Sequence, residues 1–419
     1  FTTTGFGQMY DVLSTLPHIH VYNSENKGGY GGYFGDMGVF QNPVAAALLP
    51  DRSFSNEYLS LSGYAQINIL EGLSYKLNAG YNSENHYNFH FIPDYFVSPQ
   101  QLRDLNYLRE TRSRYEKWIV ENFVTYRTVL DERHNIDGLL GYSAEKAQSR
   151  AIWGEGENMA YNELNVPDNT TELFAIGGSA WEQTMASAFA RLNYNYNSTY
   201  FLQLNYRYDG SSVFGSGNRY GHFPSVSAAW TISNESFFNL PLITDLKLRA
   251  SYGVLGNQQI PSYLYQQTIS SGFDYVNGLG ELISGMTGFS LANPDIRWET
   301  TTTANMGLDM RMINDQLLLS LDVFDKETRD ILVLTPLPLS FGGARNQMMN
   351  AANISNRGFE LSAQWRETRP GLKYNIGANF TAYTNKVLSL GLREEALTGG
   401  NVDFNSGYVT YTQVGGSVS

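Results

Sequence analysis

Apolar and polar residues alternate along this chain with a period of two, in run after run. In Glu57–Leu70 one face reads Leu59, Leu61, Gly63, Ala65, Ile67, Ile69, and the other Ser60, Ser62, Tyr64, Gln66, Asn68. That period puts successive side chains on opposite faces of an extended strand. Leu73–Tyr81, Tyr200–Asp209 and Leu372–Tyr383 repeat the pattern, and weaker versions occupy Tyr115–Tyr126, Asn135–Gln148, Thr184–Tyr194, Phe223–Thr231, Leu246–Val254, Thr300–Arg311, Leu317–Lys326 and Arg357–Arg366. The expected count is therefore twelve strands. Most run to about nine residues or more, beyond the ~5–6 of soluble sheets and close to the ~9–11 that cross a bilayer when tilted.

The connections alternate in length. Short ones fall at Glu71-Gly72, Asp131–His134, Tyr196–Thr199, Ile313–Gln316 and Arg369–Gly371, with a longer one at Ile232–Asp245. Between them lie Asn82–Arg114, Ser149–Gln183, Gly210–His222, Leu255–Glu299, Glu327–Asn356 and the stretch from Lys386 onward. Short turns on one side and long loops on the other are the organisation of an outer-membrane barrel, whose long loops face outward. Trp118, Tyr126, Tyr200, Tyr208, Trp230, Trp365 and Tyr383 sit near strand ends, where interfacial aromatic girdles occur, although β-propensity alone also favours Tyr and Trp. The pattern thus divides the chain into a loop segment leading in (1–56), barrel strands with long extracellular loops (57–387) and a further loop segment (388–419).

Composition narrows the class. Charged residues are only 16% and aromatics 14%, a surface poor in charge for a soluble protein. The longest apolar run, Val44–Leu49, is far short of the ~20 residues of a membrane-spanning helix, so a membrane would have to be crossed by strands closed into a barrel. The net charge of −12 argues against nucleic-acid binding. Cysteine is absent, which removes disulfides and thiolate chemistry. Nothing at Phe1 resembles a signal peptide, and both ends read as cuts through a longer protein.

Several blocks are more specific. Tyr208-Asp209-Gly210-Ser211-Ser212, Phe214-Gly215, Asn218-Arg219-Tyr220-Gly221 and Phe223-Pro224-Ser225 lead to Ala229-Trp230. Leu246–Gly253, Gly256-Asn257-Gln258, Asn293-Pro294-Asp295-Ile296-Arg297-Trp298-Glu299 and Asn353–Glu360 follow, with a fainter block at Asn42–Ala45 upstream. In this order they resemble the SusC/RagA-type TonB-linked outer-membrane proteins. The resemblance implies a barrel of about 22 strands, the size whose lumen is plugged. It also implies import powered by TonB, a SusD-like surface lipoprotein as lid, and surrounding outer-membrane lipid. The plug, the TonB-box region and the first and last strands of that pattern do not occur in these residues.

No catalytic constellation stands out, and the expectation is a protein that is not an enzyme and takes no cofactor. His86 and His90 are four apart but lie in an aromatic stretch before Pro93, off any helical face, and no third ligand stands near His18 and His20; no metal site is expected. Gly215-Ser216-Gly217-Asn218 reads as a loop turn, not a nucleotide cradle. Asp322 and Glu360 read as partners of Arg249, Lys247, Arg207, Arg311 or Arg366 across a wet interior rather than as glycosidase carboxylates. The informative residues are loop aromatics: Tyr30 and Tyr33; Phe89, Phe91, Tyr95 and Phe96; Trp153; Tyr263, Tyr265 and Tyr275; and Phe341. Aromatic faces beside Asn, Gln and Asp suit a glycan through stacking and hydrogen bonding, and would also suit a peptide, a lid protein or simple loop packing. The leading expectation is import of an oligosaccharide; the alternatives are an oligopeptide importer of the same type or a passive porin.

Overall fold

The computed structural model describes residues 12–13, 15, 17, 19–32, 41–267, 269–288, 291–336, 346–391, 397–401 and 408–417. Twelve long strands form one antiparallel sheet in which every strand neighbours those next to it in sequence. They are β1 (Asp51–Leu70), β2 (Leu73–Ile92), β3 (Tyr107–Leu130), β4 (His134–Met159), β5 (Thr170–Tyr196) and β6 (Tyr200–Ser211). They continue as β7 (Tyr220–Thr231), β8 (Ile243–Asn257), β9 (Glu299–Met312), β10 (Leu317–Pro336), β11 (Asn346–Arg369) and β12 (Leu372–Leu390). These are the twelve segments marked by alternation.

The turn-side ends fall close to where the sequence places them, as do the loop-side ends of β6 to β9, but other loop-side ends do not. β2 runs to Ile92 rather than Tyr81, β4 to Met159 rather than Gln148, and β5 begins at Thr170 rather than Thr184. The reason is physical. Alternation records a strand with lipid on one side and polar surroundings on the other. Asn82-Ser83-Glu84-Asn85-His86 is polar on both faces yet stays paired in the sheet.

On the turn side the chain reverses through left-handed residues, which match the twist of paired strands. Asp131 and Glu132, Asn197 and Ser198, and Ile313, Asn314 and Asp315 all have positive φ, as does Gly72 at +79°. Each turn also bonds to the next hairpin: Arg127 N donates to Gly72 O at 2.8 Å, Asn197 N to Arg133 O at 2.8 Å, and Arg366 N to Gln316 O at 2.7 Å. A Cβ at Gly72 would run into the Arg127 carbonyl, so both φ and space require glycine there.

The chain divides into two compact units. The first comprises 1–62, 80–118 and 147–182, the loop-side ends of β1 to β5 with their connections. Its short helix, Pro43–Leu48, is capped by Asn42, whose Oδ1 accepts from Val44 N and Ala45 N while its Nδ2 donates to Val21 O at 2.8 Å and Gly31 O at 2.7 Å. Asn42 is 4% exposed, so one buried amide ties three segments together. Lys27 pairs with Asp94, which also accepts from Asn162 Nδ2 at 3.0 Å.

The second unit comprises 63–79, 119–146 and 183–419. Its main core lies in the loops, not between layers. Phe214, Phe223, Ile260, Ile296, Trp298 and Val213 are buried together, with Trp298 5.0 Å from Phe214 and 5.3 Å from Phe223. Four of these residues belong to the sequence blocks around Phe214, Phe223 and Asn293–Glu299. Those blocks meet here. A smaller cluster, Ala352, Val387 and Leu390, closes the loop side of β11 and β12.

Two outcomes are expected. Gly72→Ala should destabilise the barrel by about 1–3 kcal/mol through backbone strain, while Gly63→Ala, with open space around its Cβ, should change little. Urea unfolding in detergent, followed by heat-modifiable gel mobility, compares them. The second concerns pH. Burial pushes the Asp94 carboxyl up, but hydrogen bonds from Lys27 and Asn162 outweigh it and hold it below the usual carboxylate range. Its stabilisation is therefore complete above about pH 4 and is lost as pH falls through the native value. Proteolysis near Tyr95–Arg103 should rise in acid, and Asp94→Asn should remove that pH dependence.

Candidate functional site

Strand register in the second unit sorts the side chains into rows. One row crosses Asn193, Gln203, Ser227, Ser251 and Asn305, each directly opposite the next. The row on its turn side crosses Asn195, Phe201, Ala229, Arg249, Gly307, Asp322 and Glu360. The alternate rows carry Leu202, Ala228, Ala250, Met306, Val323 and Phe359 on the opposite, apolar face. An open cavity of about 1130 Å³ lies against the polar rows, lined among others by Asp137, Asn193, Gln203, Ser227, Arg249 and Asn305.

Several charges on this face are tied down. Arg249 donates Nε to Asp309 Oδ2 at 2.6 Å and Nη2 to Asp309 Oδ1 at 2.9 Å, and reaches Asp322 through Nη1 at 3.2 Å and Nη2 at 3.0 Å. Ser320 Oγ adds a bond to Asp309 at 2.7 Å. A planar guanidinium serves two carboxylates at once, which an ammonium does not match. The fork crosses over Gly307: a Cβ there would stand 2.6 Å from both Arg249 Nη2 and Asp322 Oδ1. Asp137 similarly accepts from Arg127 at 2.6 Å, Asn193 at 3.3 Å and Arg191 at 3.4 Å. Lys247 lies over the Phe201 ring at 4.5 Å. Between these charged groups the row itself offers amides and hydroxyls.

The first unit carries a different cross-strand ladder. Arg52 Nε donates to His90 Nε2 at 3.2 Å; His90 meets the Tyr107 ring edge-on at 6.1 Å; and Arg103, paired with Glu157, lies 5.1 Å over Tyr107. Tyr107 Oη and Arg109 both bond Glu155, at 2.7 and 2.9 Å, and Arg109 stacks on Trp153 at 4.4 Å. No spacing in the sequence announces this ladder, because its members come from four strands of the sheet and from the strand Gln101–Arg103.

The loop aromatics are distributed as follows. Phe91 is 4% exposed in a cluster with Leu108 and Met159, and Phe89 packs on it. Trp153 covers Gly177, where a Cβ would enter its ring. Tyr95 and Phe96 belong to a short hairpin, Tyr95–Ser98 with Gln101–Arg103, and Phe96 is exposed. Tyr30 pairs with Tyr22, their rings 5.7 Å apart. In the second unit Tyr265 packs on the Phe214–Trp298 core, Tyr263 takes a left-handed backbone, and Tyr275 is exposed on a small hairpin. Tyr33 and Phe341 lie outside the described residues. Asp322 is held by Arg249, Arg207 pairs with Asp209 and Arg311 with Asp245, whereas Glu360 stands exposed. Among the described residues no three His, Asp or Glu side chains come together as a metal site would need. The residues the sequence reading passed over are Asn193, Gln203, Ser227, Ser251 and Asn305; their signal was present as the polar half of the alternation.

Known proteins share this architecture. Residues 4–414 match the family model described as TonB dependent receptor-like, beta-barrel. The TonB-dependent receptor P26 of Formosa agariphila is 31% identical over 408 residues, 92% of this chain and 39% of that protein. The TonB-dependent receptor SusC of Bacteroides thetaiotaomicron is 31% identical over 222 residues, 49% of this chain and 21% of its own length. The RagAB peptide transporter superposes with a TM-score of 0.81 at 23% identity, covering 92% of this chain and 42% of that chain, and so shares the fold. The chain thus spans about two fifths of the length of P26 and of the RagAB chain. With its lipid-length alternating strands and sorted loops, the chain belongs to the TonB-dependent receptor β-barrel family, as an outer-membrane barrel segment.

Proposed function

We propose that this segment is the wall of a TonB-dependent importer that takes up an oligosaccharide, closed on the outside by a SusD-like lipoprotein. One observation carries the choice of substrate. The row Asn193, Gln203, Ser227, Ser251 and Asn305 offers amides and hydroxyls along an open cavity, and beside it Asp137 is held by Arg127 and Arg191, and Arg249 by Asp309 and Asp322. Neutral donors and acceptors in a row match sugar hydroxyls. Tyr30, Tyr95 and Phe96 in the first unit, and separately Tyr263 and Tyr275 in the second, supply further contact for the saccharide or for the lid. The domain division, with 1–56 and 388–419 as flanking extracellular segments, belongs to the same reading.

A peptide is the second reading, because the RagAB transporter that shares this fold is a peptide transporter. The test is uptake of labelled oligosaccharide and oligopeptide panels by cells with and without the full-length protein. Oligosaccharide uptake should disappear on deletion and on collapse of the proton gradient. Loss of peptide uptake alone reverses the ranking, and uptake that survives collapse of the gradient points to a passive porin. Gln203→Leu with Asn305→Leu, each removing about 1 kcal/mol of hydrogen bonding, should weaken apparent oligosaccharide affinity about tenfold or more with barrel stability kept.

A further inference from the structure

The apolar face of β7 to β12 is organised by height. Its rows run Leu248–Leu308–Leu321–Leu361–Phe380, then Ala250–Met306–Val323–Phe359–Ala382, then Tyr252–Ala304–Asp325–Arg357–Thr384. From Leu317 on the turn side to Asp325, alternate β10 positions are apolar (Leu317, Leu319, Leu321, Val323). At ~3.3 Å per residue and a tilt near 40°, those eight steps rise about 20 Å. That approximates the apolar band of an outer-membrane barrel, so Asp325 and Arg357 open the headgroup level on the long-loop side.

Within the band the surface is indented. Ala250 and Ala304 leave small side chains between protruding ones; Met306 is 58% and Val323 53% exposed. The resulting groove is about 800 Å³, almost wholly apolar, and ends at Asp325 and Arg357. Charge at that end does not cancel. Arg357 pairs with Asp325 at 3.0 Å and Arg329 with Glu327 at 2.8 Å. Lys386, opposite Ser355 in the next row, is exposed and has no carboxylate partner among the described residues. A surplus cation at this level, in a chain of net charge −12, is not a consequence of composition.

We propose that this groove is a binding site for a phosphate-bearing lipid of the outer leaflet. An acyl chain lies over Ala250 and Ala304, and the lipid phosphate meets Lys386 beside Arg357. The lipid is the occupant the geometry selects, because the groove opens on the band that hydrocarbon already covers and Lys386, on the strand beside the groove, stands where phosphates begin. The site is independent of which nutrient is imported.

The test uses the full-length transporter, with folding checked by heat-modifiable mobility, in nanodiscs containing lipid A in phosphorylated or dephosphorylated form. Native mass spectrometry reads the lipid retained per protein. Phosphorylated lipid A should be retained at least fivefold better than the dephosphorylated form. Lys386→Gln should remove that preference, Lys386→Arg should keep it, and Ala304→Trp, which fills the groove, should lower retention of both forms. Equal retention of the two lipids by the native protein, or retention unchanged in both Lys386→Gln and Ala304→Trp, overturns the proposal.

Discussion

The antiparallel backbone ladder is the constraint on which the remaining features rest. Lipid supplies no partner for a peptide N–H or C=O, so a chain that crosses it in strands must satisfy those groups from strand to strand. Nearest-neighbour pairing does this with the shortest connections. It explains why all twelve strands keep sequence order in the sheet and why the turns on one side bond to the hairpin that follows. Left-handed backbone at Asp131, Asn197 and Asn314, and the glycine at Gly72, follow from the same demand, since a wider reversal would break the ladder at its edge.

Once the ladder exists, each strand has two faces with different solvents. The polar face accumulates ionisable groups, and register decides how they combine. Arg249 stands one strand from Asp309 and two from Asp322, close enough to hold both in one guanidinium fork, and Gly307 is the empty position that lets the fork cross. The apolar face follows the opposite rule. It tolerates no charge for the height of the band, and its polar groups, Asp325 and Arg357, appear where the band ends. The same geometry places Tyr200 against Trp230 on the turn side and Tyr208 against Tyr220 on the loop side, with Leu202 and Leu204 in the middle of β6.

Beyond the lipid the strands continue without that asymmetry, and stability comes from other sources. The Asn42 hub, the Phe91–Leu108–Met159 cluster and the Phe214–Trp298 core are small soluble-style cores assembled from loops and strand extensions. They account for the densest sequence blocks: Phe214, Phe223, Ile296 and Trp298 are recognisable in sequence because they pack on one another. In the first unit, the Arg52–His90–Tyr107–Arg109 ladder alternates cation, aromatic and carboxylate because paired strands bring its members side by side.

The number of strands, their turn-side ends, the two faces and the sorting of short and long connections were all present in the sequence, because each is a local consequence of a chain with lipid on one side and a polar face on the other. The polar row from Asn193 to Asn305 was legible in the same way, strand by strand. Tertiary structure decided what lay outside that local rule. It carried β2, β4 and β5 well past their alternating segments, since pairing persists where lipid ends. It turned Phe89, Phe91 and Trp153 from loop aromatics into packed side chains, and it chose Asp309 and Asp322 for Arg249. Each of these outcomes depends on which residues face each other across paired strands, often more than fifty positions apart in the chain, and period-two alternation assigns a residue to a face without naming its partner.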